Sequence, residues 1–468
     1  MSETAEPKPS LGLSLVPVVA LVAMLYHSIA VLDASGHLPL IGGTIVAGLL
    51  ATFAIKKPWD TVQAGMIRSI TAALPAVLVL LVVGLLVGSW IASGVVPLLI
   101  SWGLAVMAPG WFLVASCLVC AIVALATGSS WSTAATVGLA LVGVGEALGI
   151  SPGMTAGAIV SGSYFGDKMS PLSDTTNLAP ASAGSELFEH IQHMAWTTVP
   201  GLLIALLLYT LLGLGAGEAT ADSASVDAIA AGLRSGFNLS PLLLLAPATV
   251  LVLIVRKVPA LPSLLAGVFV GAVLGLLLQG GHGLTVGKLM GALYGGYESA
   301  TGVPAVDDLL SRGGFTSMLE TVALIVVALA FAGVMEYSGM LDTLARTVLG
   351  AAKSTGSLVA ATVATSLGLN ILASDQYIAI VVPGRMYRTA YLRRGLHPKN
   401  LSRVLEDAGT LTSALVPWNT CGAYMAGVLG VATLSYAPYA FLNLLVPLLS
   451  IAYGFTGFSI ERIEPQTA

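Results

Sequence analysis

Two polar segments interrupt an otherwise apolar sequence, and their residue types suit the binding of a dehydrated sodium ion. The first is GSYFGDKMSPLSDTTNLAPA and the second is LEDAGTLTSALVPWNTCGAY. Carboxylate, hydroxyl and amide oxygens are hard ligands for such cations. The candidate binding residues in these segments are Asp167, Ser173, Asp174, Thr175, Thr176, Asn177, Asn419 and Thr420.

One proline in each segment predicts a helix break. Pro171 precedes S-D-T-T-N, and Pro417 precedes W-N-T-C. Proline removes a backbone donor and clashes with the preceding turn, so the helix should stop there and free carbonyl oxygens for a cation. The alternative is that both prolines only kink their helices and that the hydroxyls bond back to the backbone. Two such patches in one chain favour the binding role.

Other polar residues lie in apolar surroundings, where an ionisable side chain costs roughly 2.5–3.5 kcal/mol or more and therefore marks a functional site. The candidates are Ser129 and Ser130 in TGSSWST and Asp375 in ASDQY. For three further charged residues, the sequence leaves two roles open. Lys168 either pairs with a carboxylate or reaches the membrane interface, and Glu406 and Asp407 are either interfacial charges or site residues.

The composition indicates a membrane protein. The 468 residues are 56% hydrophobic and 9% charged, with a mean hydropathy of +0.92. A soluble protein carries roughly 25% charged residues, and so few charges cannot cover a water-facing surface. The net charge of −4 gives no indication of a nucleic-acid partner. The sequence has neither a phosphate-binding G-x-x-x-x-G-K-[ST] loop nor a G-x-S-x-G nucleophile motif, so we expect no enzyme and no cofactor.

The chain contains an internal repeat. Gly88, Ser93 and Gly94 recur 245 residues later as Gly333, Ser338 and Gly339, and Pro152 and Pro171 recur 246 residues later as Pro398 and Pro417. The loop 388–403 is rich in arginine, whereas its counterpart near 145–152 has no basic residue. Because basic loops stay in the cytoplasm, the two copies should have opposite orientations in the membrane.

The predicted fold class is an all-α polytopic membrane protein with two inverted-topology repeats, broken helices and re-entrant hairpins, in about 11–14 membrane segments. Lys8 and Arg462 predict that both termini are cytoplasmic. The predicted divisions are N-terminal scaffold helices (1–65), a first inverted repeat (66–212), scaffold helices between two external loops (213–311), a second inverted repeat (312–456) and a cytoplasmic tail (457–468).

The same motifs resemble the NhaC-type sodium/proton antiporter family over most of residues 66–435. The resembling segments are GSYFGDKMSPLSDTTNLAPA, TGSSWSTAATVG, SDQYIAIVVPGRMY and LEDAGTLTSALVPWNTCGAY. More distantly, the family is similar to carriers whose repeats each hold a re-entrant hairpin and an unwound helix. This resemblance implies that TGSSWST and ASDQY are hairpin tips next to S-D-T-T-N and P-W-N-T-C-G. It also implies a homodimer, an elevator-type motion and a prokaryotic inner membrane.

From the residues and the resemblance together, we predict a secondary antiporter that exchanges sodium for protons, with sodium bound at Asp174, Thr175, Asn177 and Ser129. Some of the more distantly similar carriers transport anions and have neutral residues at their tips. This chain has Asp174 and Asp375 instead, which favours a cation as substrate. The alternative is an exchanger that couples sodium and protons to small organic acids such as malate or lactate. In that case Arg385 is the candidate for binding the carboxylate. A passive ion channel is the alternative from a different class of membrane transport protein.

Overall fold

The computed structural model describes residues 9–32, 34–216 and 223–463, and these ranges are helical without any strand. One isolated antiparallel bridge joins Leu396 to Arg462. The predicted all-α fold is therefore confirmed. Lys8, on which part of the predicted orientation rests, and residues 464–468 of the predicted tail lie outside the described ranges.

The helices of the N-terminal part, in chain order, are α1 (Leu11–Tyr26), α2 (His37–Leu49), α3 (Trp59–Ala92), α4 (Val95–Val106), α5 (Pro109–Thr127), α6 (Ser130–Thr133), α7 (Leu139–Ala147), α8 (Pro152–Met169), α9 (Asp174–Ala183) and α10 (Leu187–Ala216). The central helices are α11 (Ser223–Gly236), α12 (Leu245–Val255), α13 (Ala260–Leu278), α14 (Val286–Gly295) and α15 (Pro304–Leu310). The C-terminal helices are α16 (Leu319–Tyr337), α17 (Met340–Gly350), α18 (Thr355–Leu372), α19 (Gln376–Arg393), α20 (Pro398–Leu405), α21 (Leu411–Ser413), α22 (Thr420–Leu429), α23 (Thr433–Tyr436) and α24 (Phe441–Thr456).

Eight helices of the described chain are long and apolar enough to cross a membrane, and ten segments qualify if two bent pairs are counted as spans. The bent pairs are residues 226–236 with 241–255, at 92°, and residues 420–429 with 433–439, at 87°. The predicted 11–14 segments include α8 and α19, which are each 18 residues long but are not among these candidate spans. The chain is a multi-pass membrane protein with broken helices.

Helix ends recur along the chain at the offset seen in the sequence. The α3–α4 turn passes through Gly94 at φ 85°, and the α16–α17 turn passes through Gly339 at φ 80°. Later, α9 ends at Gly184 with φ 82°, and α22 ends at Gly430 with φ 68°. A positive φ is the conformation that glycine adopts without strain, which explains why these glycines recur as pairs.

The helices pack in two groups. The 34-residue helix α3 packs against α13, α14 and α16, and α16 in turn packs against α2. The other group consists of α5 against α8 and α10, α10 against α24, and α18 against α19 and α24. Helices from both sequence repeats therefore occur in each group.

Two of the predicted divisions of the chain do not match the helices that the structure contains. The boundary between residues 65 and 66 falls inside α3, which begins after Pro58 and continues through Pro75 to Ala92. The regions predicted as external loops also contain the helices α11, α14 and α15. They are short or only weakly apolar, so the sequence pattern for a membrane span did not identify them.

Candidate functional site

Four of the predicted site residues cap the helices that follow the chain breaks. Ser129 accepts a hydrogen bond from the backbone N–H of Ser132, and Ser173 accepts one from Thr176. In the second half, Asp375 caps α19 and Asn419 caps α22. Side chains of these types satisfy the free N–H groups of a helix start. Ser129 and Asp375 are 246 residues apart, as are Ser173 and Asn419.

The first hairpin tip contacts the first helix break. Pro171 lies in this break, between the end of α8 at Met169 and the start of α9 at Asp174. Gly128, at φ 69°, precedes the tip, and a Cβ atom at this glycine would lie 2.6 Å from the Cβ of Leu172. The tip residues and the break therefore form one compact unit.

Asp167 is bound to this tip. Its Oδ2 accepts hydrogen bonds from the backbone N–H of Ser130 at 3.2 Å and from the hydroxyl of Ser130 at 2.7 Å. Its Oδ1 is buried and has no hydrogen-bond partner within the described part of the chain. The hydroxyl of Thr176 donates to the carbonyl oxygens of Asp167 at 3.3 Å and Lys168 at 3.0 Å, which are freed where α8 ends. A carboxylate oxygen without a partner inside the protein is a site for a proton or a cation.

Asp174 lies at the surface of this unit. It is exposed, its Oδ1 accepts from the backbone N–H of Thr175 at 2.9 Å, and its Oδ2 accepts a hydrogen bond from the hydroxyl of Tyr377 on α19. Asn177 is also exposed, and its amide donates to the carbonyl oxygens of Pro171 and Ser173 at 3.0 and 2.6 Å. No feature of the sequence indicated that Tyr377 would contact Asp174.

The predicted sodium ligands therefore have local roles in the structure. Asp174, Thr175 and Asn177 lie in the first turn of α9, whereas Ser129 caps α6. The hydroxyl of Thr175 is 3.2 Å from that of Ser173. Sodium binding at this set of residues stays a prediction, and the buried carboxylates lie deeper than Asp174.

A buried ion pair joins the two sequence repeats. Lys168 at the end of α8 pairs with Asp407, and both side chains have no exposed surface. The hydroxyl of Thr197 on α10 donates to Oδ1 of Asp407 at 3.1 Å, while Oδ2 of Asp407 has no hydrogen-bond partner in residues 9–32, 34–216 and 223–463. Of the two roles left open for Lys168, the structure shows pairing with a carboxylate.

Glu406 lies beside this pair in a single π-helical turn, Glu406–Thr410, between α20 and α21. Its side chain is fully buried, and neither carboxylate oxygen has a hydrogen-bond partner among the residues that the structure describes. Its polar neighbours are Lys168, Thr410, Asp167 and Thr175. Single π-helical turns occur frequently at functional sites. Glu406 and Asp407 are therefore buried residues of the site region and not interfacial charges.

The second half of the site is held by Asn370, which the sequence analysis did not identify. Its amide donates to the carbonyl oxygen of Gly409 at 2.7 Å and to the hydroxyl of Thr412 at 2.9 Å. Asn419 donates back to the backbone and side-chain oxygens of Asn370, both at 3.1 Å. The backbone N–H of Thr420 donates to the carbonyl oxygen of Ser374 at 3.0 Å.

Pro417 lies in the second break, between the end of α21 at Ser413 and the start of α22 at Thr420. Arg385, the candidate for binding an organic acid, is exposed on α19, and the described residues offer it no hydrogen bond or ion pair. The described chain also contains no group of three His, Cys, Asp or Glu side chains that suits a bound metal ion.

A multi-pass helical bundle with broken helices around buried carboxylates is an arrangement typical of secondary transporters. Residues 162–458 match the family described as the Na+/H+ antiporter family. The chain belongs to this family, as its motifs predicted.

Full-length relatives agree with this assignment. The chain is 37% identical to the Na(+)/H(+) antiporter NhaC of Alkalihalophilus pseudofirmus, over 98% of both chains. It is 38% identical to the arginine/ornithine antiporter ArcD of Halobacterium salinarum, over 98% of this chain and 95% of that one. It is 34% identical to the malate-2H(+)/Na(+)-lactate antiporter of Bacillus subtilis, over 96% of this chain and 95% of that one.

Proposed function

We propose that this protein exchanges sodium for protons across a prokaryotic cell membrane, with both termini in the cytoplasm. Membership of the Na+/H+ antiporter family supports the proposal, as does the similarity to NhaC. The observation that carries it is an excess of buried negative charge. Asp167, Glu406 and Asp407 provide three buried carboxyl groups, whereas the described residues contain two buried cations, Lys168, which pairs with Asp407, and Arg403, whose guanidinium donates to the hydroxyl of Ser459.

The carboxyl groups in excess need a proton or a bound cation. Uncompensated charges are very costly in a protein interior, so they are paired, protonated or bound to metal ions. Lys168 compensates Asp407 and Arg403 binds Ser459, which leaves Asp167 and Glu406 without an ion pair among the described residues. Sodium or protons can neutralise these two carboxylates, and a site that accepts either ion couples their movements. An empty site is too highly charged to cross the apolar barrier, so net exchange results.

In this proposal Asp167 is the central sodium-binding carboxylate, and Asp174 lies at the mouth of the site. The hydroxyl of Ser130 donates to the Asp167 carboxylate, the hydroxyl of Ser173 lies beside this carboxylate, and the hydroxyl of Thr176 donates to the carbonyl oxygen of Asp167. In the second repeat, Asp375 and Asn419 cap the equivalent helix starts, and Thr420 begins the helix after the second break.

The architecture fits an elevator-type mechanism in a homodimer. In this proposal α3, α13 and α16 form the fixed scaffold, and the group built from α5, α8, α18 and α24 moves with the ion. The pairs of caps and turns 245 or 246 residues apart support two repeats, and the uneven arginine content supports their inversion.

Transport by the purified protein in proteoliposomes tests the proposal. A pH-sensitive dye inside the vesicles should report proton movement on addition of sodium and none on addition of potassium. Malate, lactate, arginine and ornithine belong in the same panel because two relatives are named for such substrates. Asp167→Asn should abolish the signal, and Arg385→Lys should keep it. Proton movement that requires an organic substrate, or a signal that is lost in Arg385→Lys, would contradict the proposal.

A further inference from the structure

Each hairpin tip carries an aromatic residue that contacts the opposite repeat. Trp131 and Tyr377 are 246 residues apart, and each lies two residues after the cap of its helix, Ser129 or Asp375. Tyr377 donates a hydrogen bond to Asp174 at the start of α9, in the first repeat. Trp131 stacks on Tyr424 of α22, in the second repeat. The hairpin tip of each repeat therefore contacts the helix that follows the break in the other repeat.

The two contacts differ in strength. The rings of Trp131 and Tyr424 are 4.0 Å apart and inclined by 13°, and the hydroxyl of Tyr424 donates to the carbonyl oxygen of Trp131 at 3.1 Å. Tyr424 is 1% exposed. In contrast, Tyr377 is 43% exposed, and Asp174, its partner, is exposed as well. Water can replace an exposed hydrogen bond at little cost, whereas separating a buried aromatic pair exposes apolar surface.

We propose that Tyr377 is a positioning residue that holds the Asp174 carboxylate at the mouth of the site, and that this contact is the one that breaks when the second hairpin opens. The proposal rests on the sodium/proton exchange proposed above. The first hairpin stays closed on Tyr424 throughout the cycle. The hydroxyl of Tyr377 holds one oxygen of Asp174 and the backbone N–H of Thr175 holds the other, so the carboxylate has a fixed direction.

Tyr377→Phe tests the positioning role, because it removes one hydroxyl and keeps the ring. A net hydrogen bond of this type corresponds to a roughly three- to tenfold change in affinity. We expect the KM for sodium to rise by this factor while kcat is unchanged or higher. Tyr294→Phe is the matched control, since Tyr294 is also exposed but lies on α14. An unchanged KM in Tyr377→Phe, or an equal loss of kcat, would overturn the positioning role.

Hydrogen–deuterium exchange of the wild-type protein tests which hairpin opens. We expect the amides of residues 373–379 to exchange roughly tenfold faster than those of residues 127–133, and sodium to slow only the former. In Tyr377→Phe the second tip should exchange faster still. Equal exchange at both tips, or faster exchange at the first, would overturn the inference.

These outcomes are separable from failure of the proposed function. If the wild-type protein moves no protons on addition of sodium, the exchange proposal fails. If it moves protons normally and Tyr377→Phe behaves as wild type in both assays, only the role of Tyr377 fails.

Discussion

Replacing Lys168 tests the buried ion pair on which the charge argument depends. Lys168 and Asp407 are both fully buried, and they join the end of α8 to the π-helical turn. Lys168→Met keeps a long unbranched side chain and removes only the ammonium group. Asp407 then retains a single donor, the hydroxyl of Thr197, and Glu406 loses its nearby cation.

The expected loss of stability is large. Removing one partner of a buried ion pair costs about 3–5 kcal/mol, whereas replacing both partners by apolar side chains is often neutral or stabilising. We therefore expect Lys168→Met to lower the free energy of unfolding by about 3–5 kcal/mol. The double variant Lys168→Met/Asp407→Leu should recover most of this loss, apart from about 1 kcal/mol for the unpaired hydroxyl of Thr197.

Unfolding by SDS in mixed micelles measures the stability of each variant. Arg346→Met is the control, because its ion pair with Asp342 has exposed side chains and should contribute no more than about 1 kcal/mol. If Lys168→Met and Arg346→Met lose similar stability, the buried pair does not have the assigned role. If the double variant is as unstable as the sum of its single variants, the two groups do not interact.

Three further predictions concern the breaks and the repeats. Asp174→Asn should weaken sodium binding roughly tenfold or more, measured as the sodium concentration that protects the detergent-purified protein from heat; if Asp375→Asn loses this protection and Asp174→Asn does not, sodium binds mainly to the second repeat. Pro171→Ala should extend α8 and withdraw its free carbonyl oxygens, so the KM for sodium should rise several-fold with unchanged yield of folded protein. Cysteines engineered at Ser151 and His397 should react with an impermeant label from opposite sides of the membrane, and labelling from one side would exclude inverted repeats.

Local features of the site could be predicted from the sequence. Pro171 and Pro417 lie in chain breaks, and the spacing of 246 residues between these prolines was visible as a repeat. Proline and glycine act on their own backbone, so their effect does not depend on distant residues. The all-helical fold followed equally directly from composition and the length of the apolar segments.

Contacts between distant segments could not be predicted in this way. Lys168 and Asp407 are 239 residues apart, and Tyr377 and Asp174 are 203 residues apart. Nothing in either local sequence specifies its partner, because the pairing results from the packing of α8 and α19 against other helices. The exposure of Asp174 was missed for the same reason, since the proline break predicts free carbonyl oxygens but not the depth at which the break lies.

Proton release on sodium binding is the most direct test of the central claim that one buried carboxylate site binds either ion. Sodium is titrated into the unbuffered, detergent-purified protein, and the pH of the solution is recorded. The account predicts that sodium releases protons, that potassium does not, and that Asp167→Asn releases fewer protons or none. Sodium binding without proton release, in a protein that still exchanges the two ions in vesicles, would contradict it.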